Sequence, residues 1–169
     1  HREQTLIEIG DGLLSMARKS EPGSDIQLQL IKFFPQFAKT SAHLDALEAL
    51  LSGAEKLNGL EVDADLRWDL LTGLVVAGRA GESEIDAELE RDNTANGQKA
   101  AAGARAALPS AAAKEAAWKL LVESKELSNA LVNSASLGFG RVHDLKLLEP
   151  YVDRYFESAL HVWKLHTFK

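Results

Sequence analysis

The chain has 169 residues and a mass of 18.4 kDa, long enough to bury a core as one domain or two small ones. A hydrophobic share of 46% beside 26% charged residues excludes disorder, and a net charge of −6 with a pI near 5.4 excludes the basic face of a nucleic-acid binder. With no cysteine there is no disulfide framework and no thiolate ligand or nucleophile, which fits a reducing compartment, so a cytoplasmic location is expected.

Apolar residues recur at helical spacing almost throughout. Leu6, Ile9, Leu13, Met16 and Ala17 form a first helix that "SEPGS" ends. Ser24 caps a second, through Ile26, Leu30, Phe33 and Phe37, in which Pro35 is expected to kink or break the chain. A third runs from Ser41 through Leu44, Leu47 and Leu51 towards Gly53. After the loop "LNGLEVD", Asp63 or Asp65 starts a fourth through Leu66, Leu70, Leu74 and Ala77, with Gly78 placed to end it.

"GES" opens a short fifth helix, where Ser83 and Asp86 resemble a capping box and Ile85 and Leu89 share a face. Thr94 caps a sixth, Ala95 to about Ala107, and Pro109 stops it. Ser110 caps a seventh, anchored by Trp118, Leu121 and Val122. Leu131, Val132, Ala135 and Phe139 mark an eighth, closed by Gly138 or Gly140. Asp144 begins a ninth through Leu148, Val152, Tyr155, Ala159 and Trp163, bent at Pro150.

The alanine-rich stretch "RDNTANGQKAAAGARAALPSAAAKEAAW" has the composition of a linker. Alanine, however, is the strongest helix former, and flexible linkers favour Gly and Ser. The stretch is therefore expected to be a tight helical hairpin turning at Leu108-Pro109-Ser110. The whole reads as all-α: about nine helices in stacked antiparallel hairpins, a HEAT/armadillo-like α-solenoid spanning 1–169 as a single helical-repeat domain. A compact bundle is the alternative.

No P-loop, H-E-x-x-H, G-x-G-x-x-G or G-x-S-x-G motif is present, and no run reaches the roughly 18 apolar residues of a membrane span. Asp153, Glu157 and His161 share a face of the ninth helix, but zinc needs three or four well-placed ligands and this spacing is common surface chemistry. No catalytic, cofactor or metal residue is therefore named. His43 and His143, near helix starts, read as surface residues, and His161 and His166 are too splayed to act together. Trp68, Trp118 and Trp163 read as core anchors. Two polar rows remain as candidate peptide-facing residues: Gln98 and Arg105 on the sixth helix, and Asn129, Asn133 and Ser136 on the eighth. On alternate helices of a hairpin stack, both rows are expected on one concave surface.

Several segments resemble the C-terminal helical domain of bacterial zinc aminopeptidases of the aminopeptidase N family. They are "LRW" (Leu66–Trp68), "GRAG" (Gly78–Gly81), "ELERDNTANG" (Glu88–Gly97), "ALP" before a Lys/Trp-bearing helix, and "GFGR…YVDRYFESALHVW" (Gly138–Trp163). The resemblance implies a HEAT-like domain that closes a chamber over the catalytic domain of the same parent chain and contacts the peptide substrate. It also implies zinc in that parent catalytic domain, with no cofactor in this piece. The chain opens on His1 and its only methionine is Met16, so an excised part of a longer protein is expected, lacking the domain's first repeats and last stretch. A free-standing scaffold that binds a partner protein is the alternative. H-E-x-x-H upstream in the coding sequence separates the two.

Overall fold

The computed structural model describes residues 2–124 and 127–165, with side chains described through residue 159. Among the described residues there are nine α-helices, two short 3₁₀ turns and no strand. They are α1 (Arg2–Lys19), α2 (Asp25–Phe37), α3 (Ser41–Ser52), α4 (Ala64–Val76), α5 (Glu82–Arg91), α6 (Ala95–Ala107), α7 (Ala111–Glu123), α8 (Asn129–Phe139) and α9 (Val152–Leu165). Six helix starts are fixed by one device. The side-chain oxygens of Ser24, Thr40, Asp63, Thr94, Ser110 and Ser128 each accept the backbone N–H three residues on. Each such cap contributes about 1 kcal/mol.

The chain divides into two compact units, His1–Ala80 and Gly81–Lys169. In the first, α1 packs on α2, α3 on α4, and α2 on α4. In the second, α5 packs on α6, α6 on α7 and α8, and α7 on α8 and α9. Contact with the next helix and the next but one is the pattern of stacked hairpins in an α-solenoid.

In the first unit α4 is the central helix. Leu66, Trp68 and every residue from Leu70 to Val76 are buried on it; it packs on α2 and α3, where Ile31, Phe34, Leu47 and Leu50 are also buried. Pro35 does not break α2. It occupies the last turn, buried, and packs on Gly73 of α4, where an added Cβ would come within 2.7 Å of the proline ring. Gly78, at φ 74°, turns the chain after α4 as its position suggested.

In the second unit the alanine-rich segment is helical, as expected. Its closest partner is α8, and the turn to α7 is a looser contact. Ala101, Ala104, Ala106 and Ala107 are buried on α6, Gly103 faces Ser134, and Gly138 sits on the backbone of Gly103. The Ser134 hydroxyl donates to the Lys99 carbonyl at 2.6 Å. Small side chains bring α6 and α8 together; they do so across the hairpin's neighbour.

Two local expectations are corrected, and a third is decided between its alternatives. The start of α5 is capped by Glu84, whose carboxylate accepts the Gly81 N–H at 2.7 Å, so Ser83 and Asp86 form no box. The segment from Asp144 forms two 3₁₀ turns, Leu145–Leu147 and Glu149–Tyr151, before α9 begins at Val152. Pro150 has no N–H to donate into a preceding turn, which delays the regular helix. Gly138 lies inside α8, buried, and Gly140 caps the end.

Candidate functional site

The polar candidates fall on two different faces. Gln98 is exposed, and its amide donates to Asn93 Oδ1 at 3.3 Å. Arg105 donates through Nε to Glu82 at 2.7 Å and through Nη2 to Asp86. Both residues thus lie on the α5 side of α6, and the guanidinium is already held by two carboxylates. Asn129, Asn133 and Ser136 are exposed on α8. At 100° per residue they lie roughly opposite the Ser134–Gly138 line that meets α6. The fold gathers each row on its own helix and does not bring the two rows together.

Asp153 and Glu157 are exposed on α9; the side chains of His161 and Trp163, and all of His166, lie outside the described residues. Among the described residues no three His, Asp or Glu side chains gather as a metal site. No helix among them is long and apolar enough to cross a membrane.

The polar groups with the most constrained surroundings lie inside the core stripes. Lys114 is fully buried. Its Nζ donates to the Ala106 carbonyl at 2.7 Å and to the Phe139 carbonyl at 3.0 Å, and it lies 5.4 Å from the Phe139 ring centre. Burial pushes its pKa down to about 8. Next to it, Arg154 stacks on Trp118 at 5.2 Å and Tyr151 at 5.0 Å. It also forms a two-pronged pair with Glu115 at 2.7 and 3.1 Å. Those bonds hold the Glu115 carboxyl below its usual range. Trp118 is buried among Phe139, Tyr151 and Arg154, the anchor its spacing suggested.

His43, expected at the surface, is buried at 1% exposure. The Lys39 backbone N–H donates to Nδ1 at 3.2 Å, so Nε2 carries the proton and donates to Asp11 at 2.8 Å. The ring meets Phe34 edge-on at 5.5 Å. Burial follows from register: His43, Ala46, Leu47 and Leu50 form one buried stripe on α3. Lys114, Ala117 and Trp118 do the same on α7. A polar residue inside an apolar stripe was the readable signal, and it was missed.

Residues 6–168 match the family model described as ERAP1-like C-terminal domain. The chain belongs to the ERAP1-like C-terminal domain family. It is also 44% identical over 162 residues to Aminopeptidase N of Streptomyces lividans, an alignment covering 96% of this chain and 19% of that relative. The chain thus spans about a fifth of the length of the curated relative it matches.

The motifs that carried the resemblance are turns and close contacts of this ERAP1-like domain. Leu66 and Trp68 of "LRW" are buried. In "GRAG", Arg79 donates to Asp45 at 2.7 Å and Glu48 at 2.9 Å, tying the end of α4 to α3. In "ELERDNTANG", a Cβ on Gly97 would overlap the Asp92 carbonyl and approach its carboxylate at 2.7 Å. Only glycine fits that α5–α6 turn. What these motifs do here is shape turns and packing contacts of the fold.

Proposed function

We propose that this chain is a noncatalytic part of the C-terminal domain of a zinc aminopeptidase, enclosing the active-site chamber and helping to hold the peptide substrate. The single observation that carries the reading is the 44% identity to Aminopeptidase N over nearly the whole chain, within a fifth of that protein's length. In this reading the two units are parts of one helical-repeat domain, and the partners are the catalytic domain of the same parent chain and a peptide. Zinc would be held by the parent's catalytic domain, where it would supply Lewis-acid activation of water. The described residues of this chain offer no three-ligand set for it.

What this chain contributes is position. The exposed amides of Gln98, Asn129 and Asn133 can donate and accept at the backbone of an extended peptide. Contacts remote from the scissile bond orient the substrate and exclude water. Because the rows lie on different faces, each is tested separately in the full-length parent: Gln98→Ala with Arg105→Ala, and Asn129→Ala with Asn133→Ala. The row that faces the chamber lowers kcat/KM roughly 5–30-fold on peptides of about eight residues, for a loss of ~1–2 kcal/mol. A one-residue reporter is unaffected. Full activity of both variants on long peptides rejects the peptide-holding role, and equal loss on both substrates rejects the remote contact.

A further inference from the structure

The interface of α6 with α8 poses a mechanical problem. Its closest approach is glycine on glycine, Gly103 against Gly138, flanked by the buried alanines Ala106 and Ala135. Small side chains permit close packing but interdigitate weakly, so they resist sliding poorly. Two polar contacts cross it: Ser134 to the Lys99 carbonyl and the Lys114 ammonium to Ala106 and Phe139.

Both Lys114 acceptors are helix ends. Ala106 is in the last turn of α6 and Phe139 is the last residue of α8, so both carbonyls belong to the set a helix leaves without an internal partner. Each helix C-terminus carries roughly half a negative charge. Two such ends offset part of the cost of burying the ammonium.

α6 and α8 carry no acidic side chain, and the acidic side chains described on α9 are exposed. On α6, Arg105 is held by Glu82 and Asp86, and Lys99 is itself a cation. α8 has no titratable side chain. On α9, Arg154 is paired with Glu115 of α7, while Asp153 and Glu157 are exposed.

We propose that Lys114 is a latch: its buried Nζ, hydrogen-bonded to the carbonyl ends of α6 and α8 together, fixes the register of these helices and holds the Trp118–Phe139–Tyr151 cluster closed. When the latch is unmade, the end of α8 is free to shift along α6 and the aromatic cluster opens.

Two measurements on the 169-residue chain test this. In the native chain, acylation of lysines followed by mass spectrometry reads latch opening directly. Lys114 reacts at least ten-fold more slowly than Lys99 and Lys119 at neutral pH; reaction at the same rate overturns the latch. In Lys114→Met, the amides of Gly140 and Arg141, which close α8, exchange hydrogen at least ten-fold faster, Trp118 emission shifts red, and α2–α4 amides are unchanged. Unchanged exchange at the end of α8, or equal acceleration in both units, overturns it. The labelling result stands even if the variant fails to fold.

Discussion

Gly138 of α8 rests directly on Gly103 of α6: a Cβ built on Gly138 would overlap the Gly103 carbonyl and come within 2.9 Å of its Cα. Backbone is the obstacle, so no rotamer change relieves it. Gly138→Ala is expected to destabilise by about 1–3 kcal/mol, the cost of overpacking a tight site. Gly12 of α1 is the control, since nothing lies within 4 Å of its added Cβ. Gly12→Ala should stabilise by about 0.5–1 kcal/mol through helix propensity. Urea unfolding of the two variants should give shifts of opposite sign, and shifts of the same sign would refute the contact.

Trp118→Ala should destabilise by ~3–5 kcal/mol. The indole packs against Phe139 at 6.0 Å and Tyr151 at 5.2 Å between ring centres, and Arg154 stacks on it. An unchanged unfolding midpoint would mean the ring contributes no packing.

Lys114 makes stability depend on alkaline pH. Its pKa is about 8 in the fold against 10.5 for the free side chain. Between these values the unfolded chain binds the proton and the folded chain does not, so stability rises with pH. The neutral amine keeps two N–H groups for its two carbonyls, and the bonds survive deprotonation. Integrated between those two values, the gain is about 2–3 kcal/mol from pH 8 to 10.5. Because Lys114→Met lacks the titrating group, wild type should gain on it over that window in denaturant titrations. A constant difference would show that Lys114 does not titrate there.

Asp11→Ala removes the acceptor for buried His43 Nε2 and should cost about 1 kcal/mol. Asp11→Asn retains a carbonyl acceptor and should recover most of the loss. Equal thermal midpoints for the two variants would argue that the hydrogen bond does not matter.

Much of the fold was legible because helices are written locally. The caps Ser24, Asp63, Thr94 and Ser110 act on an N–H three residues away, within the span that a sequence pattern covers. Trp68 and Trp118 were readable as anchors because each is followed one turn on by a leucine, Leu71 and Leu121. The same logic failed where a position's face outranked its residue type. His43 occupies a core position, where polarity alone suggested a surface, and Lys114 occupies another. The candidate rows were legible only as rows: periodicity groups Asn129 with Asn133, but it does not say which side of α8 meets α6.

The sequence by itself determined the helical class, most helix starts, the helical character of the alanine-rich stretch, and the family, since each rests on patterns within a few turns or on motif identity. Tertiary structure alone decided that α6 closes on α8, that Arg105 is held by Glu82 and Asp86, and that Arg154 reaches Glu115 across 39 positions. It also decided that one lysine holds two helix ends. These are pairings between distant segments, and their energies depend on burial and on partners brought close. A linear pattern carries neither quantity, because both exist only after the helices have packed.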